Sequence, residues 1–367
     1  MPPLLDPARA RRPEGLGVRA VLDPRRHAGL RGVAAVSATS IEWTDAVWNC
    51  VRGCSRVSEG CTRCYAERMA ARNLPEMRSP TTGKAFAHMS ERGPRWTGKV
   101  ELIPSKLEEP LRWRKPRRVF VNSMSDLFHE ALPEDTIDRV FAVMADAERH
   151  TFQVLTKRPA RMLAYLAQEE RRRNWIAGWL KGNHKRQAAS LATHLNTWPL
   201  PNVWLGVSCE DQATADERIP LMLQTPAAVR FVSYEPALGP VDFGAWLPNE
   251  ITKEGRRGEY SRRSDDRVPP SLTFLDQIIV GGESGPGARP FDPEWMRSTV
   301  RQCHAAGVAA FCKQWGSAAL DIPARVIGHS AHVPAGSPDG FYRRLNDSKG
   351  GDPSEWGAGD WPRELPA

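Results

Sequence analysis

The chain has 367 residues, of which 41% are hydrophobic, and a formal net charge of +8. This length supports a core without disulfides, and no stretch approaches the ~18 consecutive apolar residues of a membrane span. The amino-terminal segment is basic but lacks the apolar run of a secretion signal. We therefore expect a soluble cytoplasmic protein with no membrane partner, in which clustered cysteines bind a metal more often than they form disulfides.

The positive charge is concentrated in three segments. Residues 1–36 and 168–187 each carry a net charge of +4, and residues 251–273 carry +2, which leaves the rest of the chain close to neutral. Basic segments of this kind are either solvated surface or a rim that contacts phosphate groups. The sequence leaves both interpretations open, with nucleic acid as a candidate partner.

Composition divides the chain into three regions. Residues 1–38 are rich in Arg, Pro, Gly and Ala without helical or strand periodicity, which predicts a disordered or mis-started extension. Residues 39–318 are predicted to form one barrel domain, with basic insertions near residues 168–200 and 251–273. Residues 319–367 are predicted to form an irregular tail.

Short apolar runs rich in β-branched residues alternate with helix-like segments along the domain. The predicted strands are residues 46–51, 118–124, 151–157, 202–208, 229–235, 277–283 and 308–314. The predicted helices lie in residues 133–150, 212–225 and 292–307, the last with Gly307 as its stop. Strands that are apolar on both faces indicate parallel βαβ units, and six or seven such units favour a full or partial (β/α) TIM-like barrel.

Polar or ionisable residues follow nearly every predicted strand. They are Asn122, Ser125, Asp126, Thr156, Lys157, Arg158, Ser208, Glu210, Tyr234, Glu235, Glu283, Ser284, Lys313 and Gln314. Helix capping or ion pairing explains single members, but the whole ring indicates a lined pocket at the carboxyl ends of the strands. Lys157 with Arg158 is a candidate for holding a carboxylate or phosphate, and Asp126 and Glu235 are candidate acid–base groups.

Four of the seven cysteines lie together at the end of the first predicted strand, in the spacing Cys50-x3-Cys54-x6-Cys61-x2-Cys64. The two-residue spacing lets thiolates converge on one metal centre. If all four bind, a closed structural zinc site is expected. If only the last three bind, they suit a 4Fe–4S cluster with one iron open to a further ligand. The position of Cys50, within or just beyond the strand, leaves the choice open.

Seven runs, in this order, resemble a phage-associated and bacterial family of uncharacterised proteins. They are IEWTDAVWNCVRGCSRVSEGCTRCYAERMA, VFVNSMSDLFHE, LTKRPARM, NVWLGVSCEDQ, RFVSYEPALGPV, IIVGGESGPGARP and FCKQWG. That family carries a three-cysteine motif likened to the cluster loop of radical S-adenosylmethionine (SAM) enzymes. The resemblance implies a radical-SAM-like barrel, SAM as a second cofactor, and a separate partner protein encoded nearby.

The resemblance also assigns the metal ligands. It places a 4Fe–4S cluster on Cys54, Cys61 and Cys64, and it makes Cys50 a departure, because the family usually has proline there. Six residues between the first two ligands, in place of the usual three, depart from the radical SAM pattern.

The GGES run at residues 281–284 is similar to the Gly-Gly-Glu element that contacts the methionyl amine of SAM in radical SAM barrels. Gly281 and Gly282 would let a ligand approach the backbone, and the carboxylate of Glu283, followed by Ser284, would receive an ammonium group. A tight turn with Glu283 in a cap or an ion pair is the alternative. His129 is expected on a helix surface rather than as a ligand or proton shuttle.

Two functions remain open from the sequence. The first is an iron–sulfur, radical-SAM-like enzyme, in which reductive cleavage of SAM yields a carbon radical that abstracts hydrogen from a nucleotide or nucleic-acid-related substrate. The second is a zinc-stabilised nucleic-acid-binding protein without catalysis, with the basic insertions as its surface. The first is preferred because it explains the ring of ionisable strand ends.

Overall fold

The structure is a computed structural model that describes residues 39, 41–72, 74–168, 198–249, 273–321, 341–342 and 362. The chain divides into residues 1–35 and 36–367, and every described residue belongs to the second unit. The predicted amino-terminal extension, most of both basic insertions and most of the tail therefore lie outside the described residues.

Seven parallel strands form one sheet in the order of the chain. They are β1 (Ala46–Trp48), β2 (Arg118–Val121), β3 (Thr151–Thr156), β4 (Val203–Cys209), β5 (Val229–Tyr234), β6 (Gln277–Gly281) and β7 (Ala309–Gln314). Each strand pairs in parallel with the next one. All seven predicted strands are thus confirmed, and consecutive βαβ units explain why chain order and sheet order agree.

The sheet curls into a half-barrel and stays open in the part of the chain that the structure describes. Among the described strands, β1 pairs only with β2, and β7 pairs only with β6. The expectation of parallel strands in an α/β fold is confirmed, whereas a closed TIM-like barrel is not. The first strand also ends earlier than predicted, because Val51–Arg52 leaves the sheet and pairs antiparallel with Glu101–Leu102.

Within the described residues, five helices of six or more residues accompany the sheet. They are α1 (Tyr65–Ala70), α2 (Glu134–Asp146), α3 (Pro159–Leu166), α4 (Gln212–Gln224) and α5 (Pro293–Ala306). Asp211 caps α4 in a capping box with Thr214, and Asp292 caps α5. Gly307 ends α5 with a φ of 68°, which confirms the predicted stop.

Shorter elements complete the described chain. The four-residue helices are Pro104–Leu107 and Glu109–Arg112, and the 3-10 turns are Glu59–Cys61, Pro75–Met77 and Gly244–Trp246. Two further antiparallel pairs join Ala87–Ser90 to Gly93–Trp96 and Leu320–Asp321 to Phe341–Tyr342. The first of these hairpins packs against α1, since the backbone N–H of Trp96 donates to buried Glu67 at 2.8 Å.

The two faces of the sheet have different neighbours. Residues such as Val232 and Val280 join the large core that includes the buried faces of the helices. The residues that alternate with them form a smaller layer on the concave face, made of Trp43, Phe120, Trp204, Phe231, Ile279 and Phe311. This aromatic layer fills the concave face below the strand ends.

Candidate functional site

A cavity of about 280 Å³ opens on the concave face at the carboxyl ends of the strands. Its floor includes Trp43, Phe120 and Leu155, and its walls are strand ends and the loop that follows β1. All but two of the fourteen polar strand-end residues line it. The exceptions are Glu210, which lies behind the wall, and Tyr234, which is buried in the large core. The predicted placement of a lined pocket is therefore found in the structure.

Cys54, Cys61 and Cys64 line this cavity together. Cys61 ends the 3-10 turn, Cys64 directly precedes α1, and the backbone N–H of Cys64 donates to the Cys61 carbonyl at 3.3 Å. Burial, with a smaller effect of Asp126 and the other two thiols, raises the pKa of Cys54 to about 12. Burial also raises the pKa of Cys64, and Cys61 adds to that shift. Burial therefore favours the protonated form of the Cys54 and Cys64 thiols when no metal is bound.

Thiolates are soft ligands that bind zinc and iron–sulfur clusters. The three cysteines that share this cavity therefore suit either group. Metal binding to such thiols releases protons, because the thiolate is the ligand. Among the described residues, no group of three or more His, Cys, Asp or Glu side chains is arranged around a single point suited to a metal ion.

Cys50 lies apart from the other three cysteines of its segment. It is fully buried in the large core, does not line the cavity, and its Sγ lies 3.6 Å from Asn122 Oδ1. Burial raises the pKa of its thiol. Asn122 Oδ1 also accepts from the backbone N–H of Val51 at 3.0 Å, so Cys50 sits within a packed strand end.

Arg158 links the first cysteine to the strand ends. Its Nη1 lies 3.0 Å from Asp126 Oδ2 and 3.9 Å from Cys54 Sγ. Its Nη2 donates to the Ser55 carbonyl at 3.2 Å and to the Ser55 hydroxyl at 2.9 Å. Its Nε donates to Glu130 at 2.8 and 3.0 Å. This buried guanidinium therefore holds the cysteine loop while placing a positive charge beside a thiol.

Asp126 accepts four hydrogen bonds. Oδ1 accepts from the Phe128 backbone N–H at 2.9 Å and the Thr156 hydroxyl at 2.8 Å. Oδ2 accepts from the Lys157 backbone N–H at 3.1 Å and from Arg158. The geometry favours a positioning role for this carboxylate, and the acid–base role predicted for it stays a prediction.

His129 is buried beside the same loop, so its expected place on a helix surface is wrong. The chain after β2 turns inward and buries Phe128 together with the imidazole. Nδ1 accepts from the Ala131 backbone N–H at 3.1 Å, and Nε2 lies 2.8 Å from the Ser55 hydroxyl, which assigns the proton to Nε2. Burial, then the charge of Arg158, lowers the pKa of His129. The histidine is neutral at pH 7 and donates to Ser55.

Lys157 and Glu210 form an ion pair at the back of the cavity. Lys157 Nζ also lies 3.0 Å from the Ser208 hydroxyl, and Glu210 accepts from Arg218 at 3.1 Å. Burial alone would raise the pKa of Glu210, but Lys157 and Arg218 outweigh it and lower the pKa below its ordinary value. The carboxylate is therefore charged although it is buried.

The same carboxylate holds the cysteine loop. Ser58 Oγ donates to Glu210 at 3.0 Å, and a Cβ built on Gly60 would lie 2.3 Å from Glu210 Oε1. A glycine is therefore required at residue 60 for the segment before Cys61 to approach the end of β4 this closely.

The GGES run forms the opposite wall. Gly281 ends β6 outside the lining, whereas Gly282, Glu283 and Ser284 line the cavity. Glu283 is paired with Arg289, at 2.6 Å from Nη2 and 3.0 Å from Nε. Arg289 Nη1 in turn donates to a carbonyl of the cysteine loop, that of Glu59, at 2.9 Å. The ion-pair alternative is thus present, and contact of these residues with SAM stays a prediction.

Glu235 also has an ion-pair partner. It follows β5 and forms an ion pair with Lys313 of β7, and Gln314 Nε2 lies 3.4 Å from the same oxygen. Both members of the ion pair line the cavity. Its predicted acid–base role stays a prediction.

Sequence reasoning missed several lining residues. Arg63, Tyr65 and Arg68 lie within the cysteine segment and α1, and all three face the cavity. The signal available was their interleaving with Cys61 and Cys64, which places them beside any group that the thiols bind.

The profile of one protein family, described as "Protein of unknown function (DUF5131)", matches residues 38–341. The comparisons with curated proteins and with solved structures give no match. Across the described parts of the chain, every helix is too short or too polar to cross a membrane.

Proposed function

We propose that this chain, which belongs to the DUF5131 family of proteins of unknown function, is an iron–sulfur enzyme with a 4Fe–4S cluster on Cys54, Cys61 and Cys64. The observation that carries the proposal is that these three thiols share one cavity at the carboxyl end of a parallel sheet, while Cys50 is buried elsewhere. Active sites of parallel α/β folds lie at that edge.

A cluster held by three cysteines supplies one-electron chemistry and one iron that is open to a further ligand. The similarity of the cysteine motif to that of radical SAM enzymes adds SAM as the second cofactor. In this proposal the protein is radical-SAM-like and acts on a nucleotide or nucleic-acid-related substrate in a phage or mobile-element setting. A partner protein encoded nearby belongs to the same proposal.

The residues around the thiols support metal binding. Burial and Asp126 raise the pKa of Cys54, whereas Arg158 opposes them and favours the thiolate that a metal needs. The contacts of Arg158 with Ser55 hold the loop in place before a metal binds. The aromatic floor excludes water from below, as a site for reactive intermediates requires.

Metal and sulfide analysis of anaerobically purified full-length protein tests the proposal. We expect about four iron and four sulfide per chain, together with the broad visible absorption of iron–thiolate centres. Cys61→Ala should abolish this absorption, because it removes a ligand. Cys50→Ala is the matched control and should retain both iron and absorption, since its thiol is in the core.

One zinc per chain without iron would contradict the proposal. Zinc that is lost in Cys50→Ala as well as in Cys61→Ala would instead support a closed structural site and a zinc-stabilised nucleic-acid-binding protein. If iron and sulfide are found, the production of 5'-deoxyadenosine from SAM in the presence of a reductant tests the second cofactor separately. The same assay with the co-expressed neighbouring protein tests the partner.

A further inference from the structure

Five cationic side chains line the cavity within the described residues, and three of them are neutralised by a carboxylate. The neutralised ones are Lys157 with Glu210, Arg158 with Asp126, and Lys313 with Glu235. The other two, Arg63 and Arg68, form no ion pair with any acid in the part of the chain that the structure describes. The cavity therefore carries two positive charges that no described carboxylate balances.

Both unbalanced arginines lie against the same loop. A Cβ built on Gly285 would lie 3.0 Å from Arg68 Nη2, and one built on Gly287 would lie 3.3 Å from Arg63 Nη1. Both glycines have positive φ, at 98° and 74°. At these two positions the loop presents no side chain to the guanidinium groups. Arg68 has one long contact, at 3.5 Å from the Ser284 carbonyl.

Two guanidinium groups that line the same cavity, with no ion-pair partner among the described residues, favour the binding of an anion there. Their planar donor forks match the oxygens of a phosphate group, which accepts two hydrogen bonds from one guanidinium. A phosphate therefore fits this position by charge and by hydrogen-bond geometry.

Exposed aromatic surface lies at the same mouth. Tyr65 is 48% exposed although its hydroxyl donates to the Ser123 carbonyl at 2.7 Å, which orients the ring. Trp96 and Val57 also line the cavity, and Val57 is 43% exposed. Aromatic rings beside a cationic groove are the combination that binds unpaired bases.

We propose that Arg63 and Arg68 bind the phosphate of a nucleoside phosphate, and that Tyr65 and Trp96 contact its base. The proposal rests on the proposed function only for the conclusion that this ligand is the substrate. The anion site itself does not depend on a bound metal. A free nucleotide and an unpaired nucleic-acid strand present the same chemistry, and the experiment separates them.

The test is calorimetric titration of the full-length protein, both as purified anaerobically and after iron is removed by chelation. The probes are AMP, adenosine, inorganic phosphate and a short single-stranded oligonucleotide, at low and high salt. Arg63→Gln and Arg68→Gln should each weaken AMP binding about tenfold or more, because each removes a charge-assisted hydrogen bond. Adenosine binding should change little.

Arg114→Gln is the matched control. Arg114 is exposed and precedes β2, at the opposite end of the sheet from the cavity, so its replacement should leave AMP binding unchanged. Circular dichroism of all three variants checks that they are folded.

Equal AMP affinity in the wild type and both cavity variants would overturn the proposal, as would the absence of binding of every probe to the wild type. Reduced iron content with unchanged AMP affinity would assign the two arginines to the charge balance of the cluster and overturn it too. Tighter binding of AMP than of the oligonucleotide supports a free nucleotide, and the reverse supports a strand. Because these measurements are repeated without iron, they stand whether or not the metal proposal holds.

Discussion

The concave face of the sheet has two halves that the same strands build with opposite polarity. In the lower half Phe231 and Phe311 pack in the aromatic layer. Two residues farther along the same strands, Ser233 and Lys313 line the cavity. Side chains at i and i+2 of a strand point to the same face. A shift of two residues along the strand therefore leads from the aromatic layer to the polar cavity.

The two halves are stabilised by different interactions. The lower half depends on apolar burial and needs no specific partner for each residue. The upper half holds charged groups that would be costly if they were unpaired, so most of them have an opposite charge nearby, as Lys313 has Glu235. We conclude that the lower half mainly stabilises the fold, whereas the upper half positions groups for binding.

The largest effect is expected for a pair of substitutions on β5. Phe231→Ala should lower the free energy of unfolding by about 4 kcal/mol, because it opens a cavity in the aromatic layer. Ser233→Ala should change it by less than about 1 kcal/mol, since the side chain lies at the pocket wall. Urea denaturation followed by circular dichroism measures both values. Equal decreases in the free energy of unfolding would contradict the conclusion that the lower half mainly stabilises the fold.

The next effect concerns the buried charge of Glu210. Glu210→Gln should cost about 3 kcal/mol at pH 7, because Lys157 and Arg218 lose their buried partner. Since the pKa of Glu210 is lowered in the folded state, its stabilisation is complete above the ordinary value of 4.5 and is lost as the pH falls through the folded pKa.

The lowered pKa of Glu210 determines how the unfolding free energy depends on pH. The difference in unfolding free energy between the wild type and Glu210→Gln should stay constant from pH 7 down to the ordinary pKa of 4.5, and then shrink. Glu59→Gln, an exposed glutamate on the cysteine loop, is the control and should change the unfolding free energy at pH 7 by less than about 0.5 kcal/mol. A difference that does not shrink in acid would show that the carboxylate is not charged in the folded protein.

Local sequence signals were sufficient for the seven strands of the sheet and for three of its helices, α2, α4 and α5. Four of the six residues in the strand around Phe231 are apolar or aromatic, and the cap at Asp292 and stop at Gly307 bound α5. Closure of the sheet could not be inferred in the same way. Whether β1 meets β7 depends on the curvature of the sheet and on long-range packing, which no short pattern contains.

For the site, the sequence predicted that polar side chains line the carboxyl edge of the sheet, but not which of these side chains pair with one another. The strand-end position of Lys157 was evident, but its pairing with Glu210 depends on the neighbouring strand. The burial of His129 depends on how a loop folds back over the sheet. Arg63 and Arg68 have no ion-pair partner among the described residues, and only the three-dimensional arrangement reveals this.

The smallest effect that we predict separates two adjacent glycines of the upper half. A Cβ on Gly282 would lie 2.1 Å from the Trp315 carbonyl oxygen, whereas a Cβ on Gly281 would lie no closer than 3.3 Å to any atom. Gly282→Ala should therefore cost about 2 kcal/mol through overpacking against backbone, and Gly281→Ala less than about 1 kcal/mol. Thermal and urea unfolding of the two variants measure the difference.

The same two variants test whether the paired glycines serve packing or the approach of a ligand. Gly282 approaches the backbone of the protein itself, and its N–H donates to the Gln314 carbonyl at 2.8 Å. If Gly282→Ala were as stable as the wild type but bound SAM or AMP more weakly, the glycine would serve the approach of a ligand. If stability falls as predicted, this glycine is required because β6 and the chain after β7 pack closely at the cavity wall, and the polar half of the concave face also contains a packing constraint of its own.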